Sequence, residues 1–337
     1  MKNVLVLLAW ICAILFVLTG VMALLLFNIE RNAFAPETYK RAFEKHNLYE
    51  RMPAIMADAL YTSVTQDVNT DPYLKALTAE DWNAIISDLL PQEEIKSLSD
   101  DAVDSVLGYL NNTSDSASIS LLPLKTHLTG PQGVDVVRRI LNAQPDCTPE
   151  QLLQIGFGFF SGEVALCNPP EEMMGLVVPL IESQLQAMTS VIPDEITLIP
   201  NTNSETTDDP RVKLKGIRFI MKVSPVLPIV LLFGLLILVV RSLRDWLNWW
   251  GLPFLITGMS SAFIALIGSP ILELVIRGVI QKQGAGFIPP LLISTVQEMI
   301  GAVSGEILRP VLFEGLALGF LGLLMVGAAY FVKRSNI

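Results

Sequence analysis

The stretch VLVLLAWICAILFVLTGVMALLLFN, residues 4–28, contains no charged side chain. At about 1.5 Å of rise per residue, a helix of this length exceeds the ~30 Å hydrocarbon core of a bilayer. The stretch therefore predicts one spanning helix, with a membrane anchor over residues 1–29. Lys2 ahead of it and Ala23 within it also suit a secretory signal peptide. The apolar run continues through Leu24 to Phe27, however, and is longer than a signal core, so an uncleaved anchor is expected. Cys12 follows the bulky Ile11, which does not suit a lipid-attachment site, and reads as a thiol buried in the helix.

Beyond this helix the character of the chain changes. Its mean hydropathy of +0.50 is that of a membrane protein, yet it carries 33 acidic side chains. The two properties are segregated. Residues 30–209 hold 28 acidic and 10 basic groups, a net charge of −18, whereas the remainder holds 5 acidic and 13 basic groups, a net of +8. A water-facing acidic domain over 30–210 is thus inserted into a basic, membrane-facing frame. Its charge repels nucleic acid and anionic lipid headgroups, so neither is expected as a direct ligand of this domain, and nucleic acid is excluded as a partner.

The C-terminal part, 211–337, predicts three further spans at about 223–240, 252–272 and 311–332. Arg241 and Arg244 follow the first, Trp246, Trp249 and Trp250 precede the second, and Tyr330-Phe331 with Lys333-Arg334 close the third. Between the last two, Pro270 and Pro289-Pro290 bracket amphipathic stretches at about 271–283 and 290–309. Leu272, Val275, Ile276 and Val279 share one face of the former, and Leu292, Val296, Met299, Val303 and Ile307 one face of the latter. Both are expected as helices lying on the membrane or packed under the acidic domain, not as spans.

Four spans place both termini on one side. The basic clusters at Lys2, Arg241–Arg244 and Lys333-Arg334 assign that side to the cytoplasm and the acidic domain to the outside. Arg211, Lys213, Lys215, Arg218 and Lys222 form a basic collar that runs against this rule, and it can pair with the acidic domain or with lipid phosphates. Cys147 and Cys167, each beside turn residues, suit a disulfide closing a helical hairpin, the alternative being two free thiols.

Helix signals dominate the acidic domain. Helices are expected from Pro36 to about Lys45, from Leu48 to Gln66, from the capping box at Thr78 to Leu90, from Ser99 to Tyr109, from Thr148, and from Pro170 to Ser190. Ser118–Leu122 and Glu195–Ile199 alternate and can pair into a small sheet. The fold class is a mainly α integral membrane protein, with a mostly helical extracytoplasmic domain between the first and second of four transmembrane helices.

The chemistry-bearing motifs are weak. Asp67, Asn69 and Asp71 match the first ligands of a calcium loop, but Pro72 stands where glycine is needed and Thr78 where a bidentate glutamate belongs. Asp100, Asp101 and Asp104 suit the charged start of a helix better than a cation site. Gly156, Gly158 and Gly162 in GFGFFSG lack the strand–loop–helix context of a phosphate loop. His46 and His127 have no ligand-spaced neighbours. No GxSxG, Walker or paired CxxC motif occurs, so the reading leans away from an enzyme, and no metal or cofactor is implied.

Within the spans, Glu314 is expected to reach the outer interface. Gly315, Gly319 and Gly322 make a helix-packing face, within the bundle or between copies. Three functions remain. The first is a non-enzymatic membrane protein whose outer domain binds a protein partner or small ligand at the cell envelope. The second is an oligomeric channel or lipid-handling transporter, and the third a metal-dependent membrane enzyme.

Overall fold

The computed structural model describes residues 2–66, 70–152, 167–200, 210–284 and 290–332. It is mostly helical, with four helices long and apolar enough to cross a membrane and one small sheet. Helix α1 (Lys2–Ala33) is the first of these. The acidic region follows as α2 (Pro36–Lys45), α3 (Leu48–Gln66), α4 (Pro72–Lys75), α5 (Ala79–Leu89), α6 (Gln92–Leu110), β1 (Ala117–Ser120), α7 (Leu122–Thr129), α8 (Pro131–Asn142), α9 (Glu171–Val191) and β2 (Glu195–Ile199). The chain closes with α10 (Pro210–Val223), α11 (Val226–Val239), α12 (Leu243–Gly284) and α13 (Pro290–Phe331).

Helices α12 and α13 form the most extensive pair in the protein. Each has 42 residues, about 63 Å of helix and twice a bilayer's hydrocarbon thickness. The expected separate helices at 271–283 and 290–309 are therefore corrected: both stretches are continuous with the apolar helices beside them, and Pro270 and Pro310 lie inside α12 and α13. The reason is the contact surface. Gly251 and Gly258, seven residues apart on α12, face Gly322 and Gly315 at the same spacing on α13, and Gly268 faces Leu308. A Cβ on Gly258 would lie 2.5 Å from the Gly315 carbonyl oxygen, and one on Gly322 2.7 Å from that of Gly251. Backbones this close pack along a shared seam that outlasts the proline interruptions. Further along, Ser269 Oγ lies 3.0 Å from Ser304 Oγ.

Helix α1 packs against α10, α11, α12 and α13. Ala9 and Ala13 meet Leu235 of α11, with the half-buried Cys12 beside them, and Trp10 and Phe16 meet Trp249 and Phe254 of α12. Ser242 and Asp245 cap the start of α12 reciprocally, a Ser-x-x-Asp signal passed over in the sequence.

The acidic region is built on the far end of α13. Ala42, Phe43, Leu48, Tyr49 and Ile95 bury a cluster with Ala302, against which Met299 and Val303 also pack. Lys45–Glu306 and Arg51–Glu298 ion pairs, each 2.8 Å, flank it. A second core joins α5 to α8 through Leu77, Ile85 and Val136, and a third joins Leu141, Cys167 and Val177. Strands β1 and β2 pair antiparallel, Ser118 opposite Thr197. The Ser118 amide donates to Ser105 Oγ, which ties the sheet to α6.

One helix start is corrected. Helix α6 begins at Gln92, not near Ser99, because Pro91 in front of Glu93 and Glu94 opens it about two turns earlier. Asp100 and Asp104 consequently lie mid-helix, Asp100 accepting from the Tyr49 hydroxyl at 2.7 Å and the exposed Asp104 from Lys40 at 2.8 Å. Burial, with the adjacent Asp100 carboxylate, pushes the Tyr49 phenol well above its ordinary value.

Two predictions follow from this packing. Gly258→Leu is expected to cost about 3 kcal/mol or more by separating α12 from α13. Gly327→Leu, which meets nothing within 4 Å, should leave thermal unfolding in detergent unchanged. In the capping box of α5, the Thr78 hydroxyl and amide donate to Asp81 and hold its carboxyl below the ordinary range. Asp81→Ala should cost about 1 kcal/mol at neutral pH. Because the folded value is depressed, that contribution is complete above the unfolded value of about 3.9 and disappears as pH falls through the folded one. Melting curves of wild type and variant should therefore converge in acid.

Candidate functional site

The spacing of Arg211, Lys215, Arg218 and Lys222 puts all four on one face of α10. That face turns toward the end of α1 and the end of α6. Arg211 is 6% exposed, with its guanidinium over the Tyr109 ring at 4.5 Å and Nη1 3.5 Å from Asp115 Oδ1. Arg218 donates from Nε and Nη2 to Glu30 Oε1, at 3.2 and 3.0 Å, and from Nη1 to Asn111 Oδ1 at 2.7 Å, while lying over Phe34 at 4.1 Å. Lys222 Nζ is 3.4 Å from the same Glu30 oxygen.

Glu30 is only 7% exposed, and a carboxylate removed from water is tolerable there because two cations share it. Part of the collar is thus neutralised by the protein itself. Arg31 and Lys215 have no acidic partner among the described residues.

These groups surround a cavity of about 760 Å³, lined by Glu30, Arg31, Phe34, Asn111, Lys215, Arg218 and Lys222 among others. Phe219 links it to an apolar groove of about 460 Å³ between α1 and the α10–α11 bend, lined by Leu18, Met22, Leu26, Ile220, Val223 and Leu227. On another side of α1, Phe16, Leu24, Phe27, Pro228, Leu232 and Thr257 line an apolar cavity of about 440 Å³ that also touches Glu314.

Glu314 Oε2 accepts from Asn28 Nδ2 at 2.7 Å, and the same amide donates to the Leu24 carbonyl at 2.9 Å. Asn28 is 1% exposed, so a polar clasp joins α1 to α13. Thr257 Oγ1 and Ser261 Oγ are buried on α12 without a hydrogen-bond partner among the described residues.

The sequence reading overlooked Asn28, Glu30, Arg31 and Asn111. A signal was present, since Asn28, Glu30 and Arg31 end an otherwise apolar run, but which cations they meet is set by tertiary packing.

The other residues singled out fall elsewhere. Gly315 and Gly322 lie against α12, and Gly319 sits 3.5 Å by its would-be Cβ from the Met259 amide. Cys147 and Cys167 stand at disulfide-bonding distance, Cα atoms 4.9 Å apart, between α8 and α9. Asp67, Asn69, Gly156, Gly158 and Gly162 lie outside the described residues. Asp71 is the N-cap of α4, its side chain making no capping bond. His46 ends α2 and lines a cavity of about 280 Å³ against α13, and His127 lies 3.5 Å from Glu94. Among the described residues no group of three His, Cys, Asp or Glu side chains is placed to hold a metal ion.

Arg218→Met should leave Glu30 underpaired and cost about 3 kcal/mol or more. Arg218→Lys should recover little of it, because one ammonium cannot serve Glu30, Asn111 and the Phe34 face together. Thermal unfolding of the purified full chain reads both. No protein family, curated protein or solved structure matches the chain.

Proposed function

We propose that this chain is a non-enzymatic multi-pass membrane protein that holds its acidic region outside the cytoplasm, both termini inside, and binds a protein partner or small ligand there. The observation that supports binding is how the acidic region is mounted. It is not tethered by a loop but built onto α13 by the cluster around Ala302 and by the Lys45–Glu306 and Arg51–Glu298 pairs. A ligand engaging α2, α3 or α6 is therefore mechanically coupled to the membrane helices.

Lipid handling is the second reading, favoured by the two apolar cavities that flank α1. An oligomeric channel assembled through Gly315 and Gly322 draws less support, because α12 already covers that face.

Outside placement is tested with single cysteines added to a background in which Cys12, Cys147 and Cys167 are all replaced by serine. A membrane-impermeant maleimide should label Glu80→Cys on intact cells and Ser335→Cys only after permeabilisation. The reverse pattern would overturn the placement and, with it, binding at the envelope.

A further inference from the structure

We propose that the basic cavity and the apolar groove below it are one site for an anionic glycerophospholipid, in the leaflet on the acidic region's side. The inference goes beyond the proposed function and holds whichever face of the membrane that leaflet occupies.

Three observations carry it. First, the charge of the cavity is opposite to that of the region above it. Arg31, Lys215, Arg218 and Lys222 face a single carboxylate, Glu30. Arg218 is spent on Glu30, Asn111 and Phe34, and Lys222 shares Glu30, which leaves Arg31 and Lys215 to meet an external anion. The cavity lies where the basic frame, through Lys215, Arg218 and Lys222, meets the start of the region of net charge −18, and its net positive concave surface selects for anions locally.

Second, the depth is that of headgroups. Glu30 and Arg31 directly follow the uncharged run of α1, and Lys222 directly precedes the apolar helix α11. Both chains thus change from apolar to charged at one level, where lipid phosphates lie.

Third, the two spaces are continuous and ordered as a lipid is. Phe219 lines both. Below it, Leu18, Met22 and Leu26 succeed one another every four residues along α1, a track of about 12 Å parallel to an acyl chain. Phe219 and Ile220 are each 66% exposed and Leu18 59%, so the groove opens sideways to hydrocarbon. A soluble phosphate would use the upper space only. A phospholipid fills both, with the phosphate against Arg31 and Lys215 and one acyl chain between α1 and α11.

The test uses the full chain in neutral detergent, titrated with phosphatidylglycerol, phosphatidylcholine or inorganic phosphate and read by native mass spectrometry and thermal shift. Phosphatidylglycerol should bind at least about tenfold more tightly than phosphatidylcholine, each basic group near the surface contributing on the order of fivefold. Arg31→Gln with Lys215→Gln should abolish that preference, and Met22→Trp, which fills the groove, should weaken both lipids. The charge-keeping exchange Arg31→Lys with Lys215→Arg should retain the preference, and so should Lys75→Gln with Lys96→Gln, which removes equal charge from the acidic region. Equal binding of the two lipids by wild type, or a preference that survives the glutamine pair or falls with the distant pair, would overturn the site. Stabilisation by inorganic phosphate as large as that by phosphatidylglycerol would replace the lipid with a soluble anion.

Discussion

Backbone-to-backbone contact between α12 and α13 is the constraint on which the other features depend. Wherever Gly251, Gly258, Gly315 and Gly322 meet, no side chain separates the two helices, and the gain is close van der Waals packing. Apolar bulk alone does not associate helices in hydrocarbon, because lipid tails solvate leucine equally well. The small residues supply what hydrophobicity cannot, with Gly251 and Gly258 on one helix and Gly315 and Gly322 on the other each seven residues apart. With that pair fixed, α1 finds Thr257 and Phe254 on one side and Leu235 on another, and the far end of α13 becomes a post for α2 and α3.

Electrostatics provides the second tie, and it is concentrated. A region with a large negative charge would repel itself if its acids stood alone, but the basic frame intrudes at particular points. Glu30 gathers Arg218 and Lys222, Asp115 meets Arg211, and Glu306 lies between Lys45 and Arg309. Buried or half-buried pairs of this kind resist screening better than the surface pairs elsewhere.

How much of this could be read from the chain depended on whether the signal was local. The boxes at Thr78–Asp81 and Thr148–Gln151 form as their spacing implies, and Pro36 opens α2, since capping involves only neighbours in sequence. Four apolar helices were equally legible from length and composition. Ser99-Asp100-Asp101 misled because the same residues that cap a helix also serve as mid-helix partners for Tyr49 and Lys40, and only the third dimension separates the two roles. Pro270 misled for a different reason. A proline ends a helix that stands alone, but a neighbouring helix at close range holds the axis together across the missing hydrogen bond. The basic collar was visible as composition, while the pairing of its Arg218 and Lys222 rests on Glu30, whose burial no local pattern announces.

Two rods of about 63 Å, joined along their length, also behave as a lever. Were half of each embedded in a bilayer, a tilt of about 10° would swing the other end sideways by about 5 Å. The platform at Met299, Ala302 and Val303 rides on that end, so in such a placement its height and inclination would follow the thickness and curvature of the surrounding membrane. Geometry of this kind turns a property of the lipid phase into a displacement of a protein surface, without any hinge in the chain.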